Sequence, residues 1–134
     1  MIKISREGTT RNPVIIVGPL AFEWAKSELG RKCNLRELEI YRSANAVRRE
    51  MLCPALWASA GGQILVMRFA KPTSEMMPLE EYLEMDHRWD TQYGEPPSPF
   101  EPGARNWGWF KGRRVAIDYA INAMIEHDAL TEGA

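Results

Sequence analysis

The sequence is poor in the residues from which most metal and covalent catalytic sites are built. Across 134 residues there are two cysteines, Cys33 and Cys53, and two histidines, His87 and His127. None stands at metal-ligand spacing, and neither cysteine adjoins a His with an orienting carboxylate, so neither a zinc site nor a cysteine nucleophile is expected. A Cys33–Cys53 disulfide bracketing one helix stays open from spacing, but two reduced thiols suit a reducing compartment better. Charge of one sign is lacking too. Seventeen basic against eighteen acidic residues give a net charge of −1, so no overall field draws the chain to nucleic acid or an anionic membrane. Long apolar runs are absent: nothing approaches the roughly 18 residues of a membrane span, and the opening MIKISREG lacks a signal peptide's apolar centre. The expectation is a cytoplasmic chain with no membrane partner.

What is present suits one α+β domain over 1–134 with a single core. Ile2–Ser5 alternates apolar and polar, Arg6–Asn12 holds turn formers, and Val14–Val17 is a β-branched run, together a hairpin. After Gly18-Pro19, Leu20, Phe22 and Trp24 alternate on one face of a third strand, with a short helix as the alternative. Asn34 followed by Glu37 forms a capping-box pattern, and Leu35, Leu38, Tyr41 and Val47 repeat at helical spacing, predicting a helix from about Leu35 to Met51. Ala55–Ala58 and Gln63–Phe69 flank Gly61-Gly62 as strand, turn and strand. A short helix over Met77–Met85 and a Pro-rich loop over Asp86–Pro102 follow. Tyr119 to about His127 reads as a closing helix.

Between loop and closing helix lies Glu101–Ala120, EPGARNWGWFKGRRVAIDYA. It reads as two short strands joined at Lys111-Gly112, with Asn106 before the first and Asp118 after the second. A carboxamide and a carboxylate at the two ends of a hairpin come together, and a hard cation such as Mg²⁺ takes those oxygen ligands. Each also has a plain structural reading, Asn106 as a turn residue and Asp118 as the cap of the closing helix.

This order of elements resembles the protein-kinase-like fold, in particular its small-molecule phosphotransferase branch and the short kinase-like reading frames of phages and prophages. The residues carrying the resemblance are Asn34–Glu39 in the helix, Gln63–Ala70 as the strand entering a hinge, Asn106-Trp107-Gly108, and Val115–Tyr119. It implies a small antiparallel sheet with one long packed helix, then a short helix, the loop, the hairpin and a last helix. It also implies roles: Asn106 and Asp118 as Mg²⁺ ligands, Glu101 at the catalytic-base position, and Glu37, or Glu39, as the helix carboxylate that pairs with a strand lysine over nucleotide phosphates.

The departures weigh against chemistry. Glu23 stands where the lysine belongs, and two unit charges about 4 Å apart repel by roughly 4 kcal/mol at an effective dielectric of about 20. The first hairpin has only Gly8 where a phosphate-cradling loop needs several glycines. Pro99-Phe100 replaces the His-Arg that precedes the catalytic carboxylate, and the stretch after Asp118 is short for an activation segment and a substrate-binding helical lobe. The leading expectation is therefore a non-catalytic kinase-like protein-interaction module, a small regulator or inhibitor in a mobile-element setting, with no cofactor. The partner-binding candidates are Trp89, in the Pro-rich loop, and Arg113 and Arg114; Trp57 and Trp107 are expected to face the core. The alternative is a minimal phosphotransferase or nucleotide binder using Mg and ATP, with Glu101 as base. A third reading is nucleic-acid contact through Arg105, Lys111, Arg113 and Arg114.

Overall fold

Short apolar runs punctuated by turns build the first sheet. The computed structural model describes residues 2–5, 13–103 and 106–120. Strands β1 (Ile2–Ser5), β2 (Val14–Val17), β3 (Leu20–Trp24), β4 (Ala55–Ala58) and β5 (Ile64–Arg68) form an antiparallel sheet in the order β1-β2-β3-β5-β4. A second, three-stranded sheet joins β6 (Lys71–Pro72), β7 (Trp107–Phe110) and β8 (Arg113–Ala116). Helices α1 (Glu28–Ser43), α2 (Ala46–Glu50) and α3 (Leu79–Trp89) complete an α+β chain among the described residues. None of these helices is long and apolar enough to cross a membrane. The chain clusters into two compact units, Met1–Ser43 with Pro54–Phe69 and Ala44–Cys53 with Ala70–Ala134.

In the first unit α1 packs on β4 and β5. Register assigns the faces, because cross-strand partners share a side of the sheet. Val14, Glu23 and Leu65 are in register, as are Ala21, Met67 and Ala55, and Val14, Glu23, Leu65, Met67 and Ala55 are all buried. The opposite face carries Ile15, Phe22, Val66 and Trp57 in one row and Trp24 with Ile64 in another. The ordinary pattern is inverted on β3, where the carboxylate of Glu23 points inward at 4% exposure and the indole of Trp24 outward at 46%.

The long helix is not the one the pattern predicts. It begins at Glu28, where the Ser27 hydroxyl accepts from the Gly30 N–H at 3.0 Å and so satisfies one of the orphan donors of the first turn. Asn34 lies inside the helix, fully buried, and its Nδ2 donates to the Gly62 carbonyl at 2.9 Å. The helix also stops early. Asn45 caps α2 by accepting from the Arg48 N–H at 2.8 Å, so the expected single helix to Met51 is two.

In the second unit, residues 51–53 run alongside β8. The Cys53 N–H donates to the Ala116 carbonyl and the Ala116 N–H to the Met51 carbonyl, both at 2.8 Å. Lys111 and Gly112, at φ 50 and 76, make the tight turn that joins β7 to β8 with the two positive-φ residues such a hairpin prefers. Helix α3 extends to Trp89, so the first residues of the expected loop are helical, while the rest of it, to Pro102, is irregular. The short strand β6 was not anticipated. The expected closing helix lies, from residue 121 onward, outside the described residues.

Candidate functional site

A polar arrangement in the second unit surrounds the start of β7. Asn106 is 5% exposed, and its Nδ2 donates to Glu101 Oε2 at 2.8 Å. Its backbone is committed as well, the N–H donating to the Gly103 carbonyl at 3.1 Å and the carbonyl accepting from the Ile117 N–H at 2.8 Å. The last bond extends the β7–β8 ladder by one rung and brings Asp118, half-buried, alongside the Asn106 end of the hairpin. Glu101 is held from its backbone too, because the Trp107 indole N–H donates to its carbonyl. The structure thus brings Glu101 and Asn106 into direct contact and sets Asp118 one residue beyond the pairing. Among the described residues no group of three or more His, Cys, Asp or Glu side chains is placed to hold a metal ion.

An aromatic column supports this loop. Phe100 packs edge-on against Trp89 and tilted against Trp107, with ring centroids 5.2 Å apart in both pairs. The Tyr82 hydroxyl donates to the Phe100 carbonyl at 3.0 Å. Burial, with Asp86 and Glu101 nearby, raises the Tyr82 phenol above its ordinary value.

Trp89 is therefore not the surface anchor expected. It ends α3 in the core of the second unit at 6% exposure, with Arg48 stacked on its ring at 4.7 Å. Arg48 also donates from Nε to the Trp89 carbonyl at 2.6 Å, from a terminal nitrogen to the Asp90 carbonyl at 2.8 Å, and through both terminal nitrogens to Glu95 at 3.0 Å. One guanidinium thus ties down the chain that leaves α3. The hydrogen bonds from Arg48, then the Gln92 N–H, lower the Glu95 carboxyl to about 2.

Arg113 and Arg114 are likewise engaged within the unit. Arg113 Nε donates to the Glu50 carbonyl at 2.9 Å. Arg114 pairs with Glu81 at 2.8 Å and covers the Trp109 ring at 4.6 Å, leaving its side chain 11% exposed. Arg105 lies outside the described residues.

The remaining candidate belongs to the first unit. Glu37 lies on the inward side of α1 at 1% exposure, and Glu23 lies on the sheet face that is buried. Both acidic side chains sit in the interior of this unit, where a carboxylate keeps its charge only with hydrogen bonds or a counter-charge, and neither is without an interaction. Glu37 is no capping-box partner, since the helix starts well before it.

Sequence reasoning missed Arg48 and misjudged Trp57, which is 52% exposed while Trp107 is fully buried. The signal for Trp57 was available in the strand alternation, but not which side of the sheet the helix would cover. Compared with known proteins, the chain matches no family model, no curated protein and no solved structure.

Proposed function

We propose that the chain is a non-catalytic, kinase-like protein-interaction module, a small regulator or inhibitor. The observation that carries this reading is Glu23. At the position where the kinase pattern requires a cation for the nucleotide phosphates, the first unit holds a buried carboxylate, and the helix that would supply its partner buries a second one, Glu37. With acids at both positions, neither residue supplies the cation that a triphosphate needs. The order of elements, three strands, a helix, two strands, then a hairpin flanked by Asn106 and Asp118, is in keeping with descent from such a fold.

One observation favours the alternative, a minimal Mg-dependent phosphotransferase. The bond between Asn106 and Glu101 joins the two residues that such an enzyme would use as metal ligand and base, at their expected separation of five positions. A thermal-shift titration with ATP and Mg²⁺ separates the readings, because a ligand at 100 times its dissociation constant stabilises by about 2.7 kcal/mol. The interaction reading expects no shift at millimolar nucleotide. A shift that Asp118→Ala abolishes would overturn it.

A further inference from the structure

We infer that the face of the five-stranded sheet opposite the Glu23 side pairs with the same face of a second copy of this chain. The face is defined by register, not by exposure alone. Phe22 and Val66 stand side by side at its centre, flanked by Trp57 on β4, with Trp24 and Ile64 at one end and Val17 towards the other. Trp24, Trp57 and Val17 are 46%, 52% and 43% exposed.

Such side chains are poor material for a solvated surface. An antiparallel sheet with one face on a helix ordinarily presents polar residues on the other, and here β3 does the reverse, with Glu23 inside and Trp24 outside. At about 250 Å² per tryptophan side chain the three most exposed residues present roughly 300 Å², and their half-buried neighbours bring the patch to roughly 500 Å². Two copies packed face to face would then bury about 1,000 Å², the threshold of a specific interface.

Charge selects a second copy over a charged partner. In the register of β2, β3 and β5 with Trp57, the only ionic residue on this face is Arg68, opposite Leu20 at the end remote from Trp24. Its Nε is buried, so a partner rich in charge finds no open counterpart in that register. A two-fold axis lying between the sheets and running across the strands beneath Phe22 and Val66 sends the Arg68 end of one copy to the Trp24 end of the other. The apolar Trp24 end of each copy then lies over the Arg68 end of the other, and the two arginines do not meet. Sheets packed face to face in this way interdigitate their side chains over about 10 Å, and a self-complementary patch closes as a dimer without extending into a filament.

Sedimentation velocity from 1 to 100 µM tests the inference. The full chain is expected to pass from monomer to dimer within that range. Trp24→Glu, and independently Trp57→Glu, should leave the far-UV circular dichroism unchanged and keep the chain monomeric at 100 µM. If Trp24→Glu does not fold, Val17→Lys at the other end of the face gives the same readout. A wild-type chain that is monomeric at 100 µM overturns the inference, as does a dimer of unchanged strength in the folded variants. The nucleotide titration reads a separate property, so a monomer that ignores ATP removes this inference alone.

Discussion

Replacing Gly62 with alanine should damage the first unit more than any other single methyl group added at a positive-φ glycine. Gly62 has φ +75 in the turn between β4 and β5, and a Cβ built there would lie 2.3 Å from the Arg31 carbonyl oxygen and 2.9 Å from Leu35 Cγ. The first obstacle is helix backbone, which cannot rotate aside, so the turn must lift from α1. The left-handed conformation itself costs a non-glycine residue about 1 to 2 kcal/mol. Lifting the turn also breaks the bond from Asn34 Nδ2 to the Gly62 carbonyl, and a buried polar group left without its partner costs a further 1 to 3 kcal/mol or so. The expected loss is about 2 to 5 kcal/mol, a large share of the roughly 5 to 15 kcal/mol that holds a domain together. Gly18 is the control: its φ is +59, but an added Cβ there meets nothing within 4 Å, so Gly18→Ala should cost only about 1 to 2 kcal/mol. Urea unfolding followed by circular dichroism and tryptophan fluorescence measures both. If Gly62→Ala costs no more than Gly18→Ala, the turn is not locked onto α1 and the placement of Glu37 by that helix falls with it. A second arm is Asn34→Ala, which should cost less in the Gly62→Ala background than alone, since the two share one interaction.

Arg48→Met should cost about 2 to 3 kcal/mol and speed amide exchange after α3, because Met keeps the packing on Trp89 but none of the bonds to the Trp89 and Asp90 carbonyls and Glu95. Arg48→Lys should lose more than half as much, a point charge being unable to serve those acceptors together, and full stability in that variant would refute the assignment. Asn106→Asp should destabilise by about 4 kcal/mol at neutral pH, as a carboxylate would face Glu101 across what is now a 2.8 Å hydrogen bond, whereas Asn106→Leu should lose about 1 to 3 kcal/mol; equal losses in a chemical melt would argue that charge has no part. Glu95 has a folded-state pKa of about 2, below its ordinary 4.5, so its contribution is complete above about pH 4.5 and drains away as the pH falls towards 2. Glu95→Gln should flatten the stability profile across that acid window only, and an unchanged acid limb would count against the pairing with Arg48.

The elements that were legible in the chain are those whose signals are local. Lys111-Gly112 needs two positive-φ residues, and the aromatic run Trp107–Phe110 before it and Val115 after it favour strands. The helix start was misread for a reason equally local. Asn34 and Glu37 share one face of a helix at the spacing that a capping box also uses, and only the buried bond to Gly62 distinguishes the two. Trp89 and Trp57 exchanged roles because a run rich in proline suggested a loop around the first, while α3 carries its ring into an aromatic core.

The amino-acid order alone determined where strands turn, that Asn106 precedes a hairpin with Asp118 beyond it, and that a carboxylate occupies the position of Glu23. It could not determine which face of the first sheet is covered. β2 and β5 are apolar on both sides, so either face could have been the core by periodicity. The choice was made when α1 settled on β4 and β5, burying Glu23 with Leu65 and Val14 and leaving Trp24 and Trp57 outside. Burial is a property of what packs on a surface, and that partner is distant in sequence.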